Sequence, residues 1–267
     1  TAGVPQLDPA HDDEAFLLPP SECFRLRGLA PAPPKLPGSA ALALETPPDW
    51  ARSGRETTTA DATIADDFRV RTIDVAGTTI SIFEVSDPTS DDGCDADSPR
   101  SAMCGGVLWP GSRAAAEALA EMSLAGRTVV EIGAGTGLCS LAAARMGAAE
   151  VVATDASPGV LELIEAAAAA QDLGVVRTQV FDFLGDAAAS PVRGVDIAVA
   201  ADLLYTEEIT RAVARTCAAL KTGGAAVIVT DSQRRHRDAF LDELDRCLPR
   251  ADREFEATTV SDYTGWS

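Results

Sequence analysis

The residues of this chain best suited to chemistry gather where strand patterns give way to loops. Between a continuous apolar run and a helical pattern stands Glu131-Ile-Gly-Ala-Gly-Thr-Gly137. Glycines there let the backbone turn tightly and approach a ligand closely. A dinucleotide fingerprint spaces its glycines G-x-G-x-x-G to seat a pyrophosphate on a helix N-terminus. Here Gly133, Gly135 and Gly137 read G-x-G-x-G, with the acid Glu131 two residues ahead of the first. That carboxylate would repel a pyrophosphate, so a ligand with a cationic centre and no phosphates fits better. S-adenosylmethionine, a sulfonium with an α-amino group, meets the description. Asp155 ends the next strand pattern, where an acid can accept both hydroxyls of a ribose. Asp182, in Phe181-Asp-Phe183 at the end of a third, can accept from an adenine amino group while Phe183 packs on the base. A helix cap or loop acid fits Asp182 nearly as well.

Positioning these groups requires a sheet. From Thr128 onward the chain alternates short apolar strands with helical patterns: TVVEI, then a helix ended by Gly147, VVATD, the helix after Ser157-Pro158, VRTQVFDF, VDIAVAADLL, a helix stopped at Gly223, AAVIVTD, a further helix and REFEATTV. Strands interleaved with helices and apolar on both faces imply a parallel sheet covered on both sides. The expected fold is α/β and doubly wound, with a mostly parallel Rossmann-like sheet. All three acids then fall at the carboxyl ends of strands, where open α/β sheets bind ligands. Before this body, residues 68–85 alternate apolar and polar around Ala76-Gly77 and predict a β-hairpin. An acidic, turn-rich loop follows, and then Gly105-Gly106 and a helix started by Pro110. Ten of the sixteen prolines precede residue 50, so residues 1–65 read as an extended proline-rich arm held by the body or by a neighbouring chain. The organisation is thus 1–65 arm, 66–104 hairpin and acidic loop, 105–267 Rossmann-like domain.

Composition narrows the partners. There are 41 acids against 22 bases, a net charge of −19 and only two lysines, Lys35 and Lys221. Nucleic-acid affinity rests on cationic side chains that displace counterions, so DNA and RNA are not expected partners. A basic protein partner suits the surface charge by steering. No apolar run is long enough for a membrane span. The six cysteines are scattered without a CxxC and neither His11 nor His236 lies near a cysteine cluster, so no metal site is expected. Cys139 and Cys217 lie within apolar helical patterns, which favours buried thiols and a reducing compartment. The chain begins at Thr1 rather than methionine, as after removal of an organelle-targeting peptide or in a shortened sequence; cytoplasm, plastid and mitochondrion all fit.

The order of GGVLWP with Trp109, VVEIGAGTG, VVATD and AADLLY resembles the seven-strand S-adenosylmethionine-dependent methyltransferases of the lysine methyltransferase-like group, over roughly residues 68–260. Members carry Asp-x-x-Tyr after the fourth strand, here Asp202-Leu-Leu-Tyr205. The resemblance implies methylation of a protein lysine, with Trp109, the glycine loop, Asp155, Asp182 with Phe183, and Ala201 contacting the cofactor. It implies that Asp202 orients the incoming amine and accepts its proton or hydrogen bond, and that Tyr205 shapes the target channel. Without it, Asp202 reads as the cap of the helix near Thr206 and Tyr205 as a core aromatic. Phe183 stands where the family usually has tryptophan, and the helix after Ser157-Pro158 has only alanines near Ala166 and Ala167, where the family usually has one or more asparagines. Little sequence follows REFEATTV, so the last antiparallel strand is expected to be missing or its edge covered by another segment. A second reading makes the chain a methyltransferase-like structural subunit of a larger complex.

Overall fold

Strand and helix patterns alternate in space as they do along the chain. In the computed structural model the residues described are 21–26, 68–85, 105–185, 192–232, 236–248 and 255–260. In chain order they form β1 (Ser21–Leu26), β2 (Phe68–Val75), β3 (Thr78–Val85), α1 (Pro110–Ala120), β4 (Thr128–Ile132), α2 (Leu138–Arg145), β5 (Glu150–Asp155), α3 (Pro158–Ala170), β6 (Val176–Val180), β7 (Ile197–Ala201), α4 (Glu207–Thr222), β8 (Ala226–Asp231), α5 (Arg237–Cys247) and β9 (Phe255–Val260). Local chemistry sets several of these ends. Proline opens α1 and α3, where its missing N–H costs nothing. Thr206 caps α4 by accepting from the Ile209 N–H, and acids in the first turn with Lys221 in the last complement the helix dipole.

The main sheet runs β6-β5-β4-β7-β8-β1-β9. Strands β4 to β8 are parallel, which gives the doubly wound α/β core expected from the alternation. Neighbouring strand residues face opposite sides. Val129 packs in one apolar cluster with α1, α2 and the hairpin, whereas Val130 packs in another with α4 and α5. Cys139 and Cys217 are buried within these layers, as the sequence implied.

Of the two outcomes expected at the sheet edge, coverage by another segment is the one found, and the reading of that segment as an extended arm throughout is corrected: β1 lies between β8 and β9 and antiparallel to both, with Phe24 opposite Val229 and Ala257. An uncovered β8 would present a row of unpaired N–H and C=O groups, which β1 pairs. Six residues set among prolines are too few to show a period, so the sequence concealed this strand. The rest of the arm and the acidic loop at 86–104 fall outside the described residues.

The hairpin turns at Ala76 and Gly77, whose φ of 50° and 79° suit a two-residue connection between right-twisted strands. Its apolar residues Ile73, Val75, Ile80 and Ile82 share the core cluster of α1 and α2. Gln171, at the end of α3, fastens β3 from outside: its side-chain oxygen accepts the Ser81 N–H at 3.0 Å and its amide donates to the Ser81 carbonyl at 2.7 Å. If β1 is seated as described, amide exchange of Cys23, Phe24 and Arg25 should be as slow as that of β9. Fast exchange through the segment would contradict the order of the sheet.

Candidate active site

Strand β4 lies at the centre of the parallel strands, with β5 and β6 to one side and β7 and β8 to the other. The connections leaving β4 and β7 therefore diverge, opening the crevice in which doubly wound sheets bind ligands. Both motifs singled out in the sequence leave the sheet here. Gly133, Gly135 and Gly137 adopt φ of 59°, 53° and 71°, a region that side chains rarely enter. Nor is there room for them to carry one. A Cβ on Gly133 would meet the Leu203 side chain at 2.6 Å, and one on Gly135 would lie 2.9 Å from the Gly105 carbonyl oxygen. The loop is thus pressed between the segment after β7 and the segment before α1.

Asp155, half-buried at the end of β5, ties the loop to its neighbour. One carboxylate oxygen accepts the Gly135 N–H at 3.1 Å and the other the Ser157 N–H at 2.9 Å. A carboxylate offers about four acceptor directions, so Asp155 retains capacity for the two hydroxyls of a ribose. Asp182 is exposed and accepts the Leu184 N–H at 2.8 Å, the local turn that its alternative reading implied. Phe183 is 8% exposed and packs with Val130, Ile132 and Val152. Ala201 is buried at the last position of β7, and Trp109, 41% exposed, is the residue just ahead of α1.

Glu131 is placed differently from a rim acid. It is 1% exposed and faces α2, where Ser140 donates its backbone N–H at 2.8 Å and its hydroxyl at 2.6 Å to one carboxylate oxygen. Burial pushes its pKa up to about 7 despite these donors. The nearby Cys139 thiol, donating to the Ser112 carbonyl at 3.3 Å, is pushed well above its usual range by burial and by Glu131.

Asp202 departs furthest from expectation. It is 4% exposed and holds a left-handed φ of 54°. One carboxylate oxygen accepts the Gly111 N–H at 2.5 Å; the other accepts the Ser232 N–H at 2.8 Å and the Ser232 hydroxyl at 2.7 Å. Trp109 supplies no side-chain cap to α1, so Asp202 caps that helix from across the site, satisfying an N–H that its first turn leaves open. It does not cap α4, which Thr206 does. Nearly sealed and engaged by three donors, Asp202 is a joint between α1, β7 and β8 rather than an open acceptor for an amine proton. Gly111 permits the joint, since a Cβ there would lie 2.6 Å from the Asp202 carboxylate. Tyr205 is not a core aromatic but 47% exposed. Gly111, Ser140 and Ser232 escaped the sequence reading because nothing in their spacing signals a partner 91, 9 and 30 residues away.

With this geometry in place, comparison with known proteins is decisive for the family. The model of the lysine methyltransferase family matches residues 92–247. The chain belongs to that family. The resemblance read from the motifs is therefore borne out, and S-adenosylmethionine is the cofactor of such enzymes. Among curated relatives, the chain is 32% identical over 131 residues to a protein N-lysine methyltransferase, METTL21A, of Danio rerio, an alignment covering 47% of this chain and 59% of that protein. It is 43% identical over 47 residues to a ribosomal protein L11 methyltransferase of Deinococcus radiodurans, covering 18% and 17%. The aligned stretches thus span less than two thirds of either relative. Similar solved structures include a T. thermophilus 16S rRNA N2 G1207 methyltransferase in complex with AdoMet and guanosine, at 23% identity, 57% of this chain, 38% of that chain and a TM-score of 0.41. The CcbJ methyltransferase of Streptomyces caelestis gives 24%, 47%, 50% and 0.36.

Two measurements probe the buried acids. Because the folded protein holds the Glu131 proton up to about pH 7, it binds more protons than the unfolded chain between roughly pH 4.5 and 7, and stability falls as pH rises through that window. Relative to Glu131→Gln, the wild type should lose on the order of 3 kcal/mol of unfolding free energy between about pH 5 and pH 8. A difference that does not change with pH would show that Glu131 is not the group responsible. Gly111→Ala should displace the Asp202 carboxylate and lower stability by about 1–3 kcal/mol in chemical denaturation, through overpacking and a lost hydrogen bond. Unchanged stability would count against the joint.

Proposed function

We propose that this protein is an S-adenosylmethionine-dependent methyltransferase that modifies a lysine side chain of a partner protein. The reading is carried by one convergence: the glycine loop locked to Asp155 meets, at the switch point of the sheet, the Asp202-Leu-Leu-Tyr205 segment locked to the start of α1 beside Trp109. The residues suit the cofactor, because the loop is free of side chains and Asp155 keeps acceptor capacity beside it. When bound, S-adenosylmethionine supplies an electrophilic methyl group on a sulfonium. Asp155 would hold the ribose hydroxyls, the glycine loop the body of the nucleoside and Trp109 one wall of the site.

Transfer to lysine demands a neutral amine in line with the methyl group, and removing the ammonium proton at neutral pH costs about 4.6 kcal/mol. The chain's part is positioning and exclusion of water. Tyr205 offers an exposed aromatic face to the aliphatic stem and ammonium of an incoming lysine. Asp202 sets where that face stands through its bonds to α1 and β8. A protein-sized substrate is supported by the rim. Of the six large apolar residues exposed among the described residues, Trp109, Val180, Leu184 and Tyr205 belong to segments at the carboxyl end of the parallel strands. The charge of −19 favours a basic partner. The fold by itself does not separate a protein substrate from RNA; charge and family favour protein. The structural-subunit reading loses one support, since β1 pairs the edge of β8 beyond which a strand was expected to be missing.

Calorimetric titration with S-adenosylmethionine should show binding to the wild type and a ten- to hundredfold weaker constant for Asp155→Ala, the loss of charge-assisted hydrogen bonds of about 1.5–3 kcal/mol. Methyl-labelled S-adenosylmethionine added with the enzyme to a cell lysate should leave label on lysine after protein hydrolysis. Label confined to RNA, or no heat with either protein, would reject the proposal.

A further inference from the structure

Strand β3 carries an acid where an apolar residue is due. Ile80 and Ile82 point into the core, and by the two-residue period residue 84 must follow them. It is Glu84, only 2% exposed. A carboxylate drawn from water onto an apolar face is costly unless donors surround it. Glu84 has several. Arg69 approaches one oxygen with Nε at 3.2 Å and Nη2 at 3.0 Å, and Arg71 reaches both oxygens at 3.4 Å. The arginines are partly exposed, with side-chain exposures of 53% and 28%, so the hairpin itself supplies the countercharge. A further donor comes from outside the hairpin: the backbone N–H of Leu108, 3.0 Å from Oε1 in a buried bond.

Leu108 is covalently next to Trp109, which precedes the first residue of α1. The segment is held at three successive points. Gly105 lies against Gly135 of the glycine loop, Leu108 hangs from Glu84, and Gly111 is bound by Asp202. Trp109 stands between the last two anchors. Two carboxylates, one from the hairpin and one from the end of β7, thus grip the backbone on either side of an exposed indole. We propose that Glu84 is a positioning residue for the cofactor site, acting through the Leu108 N–H to fix Trp109 at the wall that meets S-adenosylmethionine. The inference rests on the reading of Trp109 as a cofactor contact. It gives the hairpin a task beyond covering the core: it carries the outer anchor of that wall.

The test is a double-mutant cycle in the full-length chain, read by calorimetric binding of S-adenosylmethionine and, separately, by thermal unfolding. Glu84→Leu removes the acceptor from a buried N–H and should weaken binding about tenfold, equivalent to ~1.4 kcal/mol. Glu84→Gln keeps an oxygen for Leu108 and should bind within about twofold of wild type, even if loss of charge beside Arg69 and Arg71 lowers the melting temperature. In a Trp109→Ala background Glu84→Leu should have no further effect on binding, because the residue it positions is gone. A purely structural Glu84 would lower the melting temperature in Glu84→Leu and leave binding at a temperature well below unfolding unchanged, which overturns the proposal. Additive losses in the cycle overturn it too. If Trp109→Ala binds as well as wild type, the reading of Trp109 itself fails and the proposal with it. Should Glu84→Leu not fold, Glu84→Gln binding tenfold more weakly, with no coupling to Trp109→Ala, gives the same negative answer.

Discussion

The site depends on a single buried carboxylate. Asp202 gathers a helix start, the end of strand β7 and the residue following β8 onto two oxygen atoms. Without it the helix start and Ser232 would carry unsatisfied donors beside a buried carboxylate, and a lost partner there costs more than an average hydrogen bond contributes. The backbone accommodates this by adopting a left-handed conformation at a non-glycine residue, which persists only where surrounding contacts over-determine it. Such a constraint makes the crevice a pre-set shape, consistent with catalysis that relies on placement.

Around that joint the acids divide by depth. Asp155 and Asp182 remain accessible to solvent; Asp182 accepts an N–H of its own turn, while Asp155 accepts one from its own loop and one from the glycine loop. Glu84, Glu131 and Asp202 are nearly sealed, and each accepts a backbone N–H from a different structural segment. The exposed acids are suited to ligands. The sealed ones hold the segments that flank the proposed cofactor site.

The parallel body was legible because its signals are local: apolar runs of strand length, glycines at helix ends and a glycine loop between strand and helix. The same locality singled out Gly133, Gly135, Gly137 and Asp155 as candidates, since strand-end position alone places them at the crevice. What the sequence did not disclose depends on distant partners. Asp202 looked like an open acceptor because its donors, Gly111 and Ser232, carry no mark of their role. Phe183 looked like a face for adenine, yet the turn at Asp182 tucks it among Val130, Ile132 and Val152. The strand supplied by Ser21–Leu26 was hidden in a stretch whose proline content speaks against regular structure. Glu84 did break the alternation of its strand, a signal that could have been noticed before any fold was known.

Gln171 has a consequence for how the hairpin behaves in a crowded solution. A two-stranded ribbon has open edges, and an open edge invites the backbone of another molecule. By meeting both the N–H and the C=O of Ser81, one glutamine amide imitates the peptide group of an incoming strand and takes its place. The ribbon thereby stays attached to its own α3, and at that register it offers a neighbouring molecule nothing to extend.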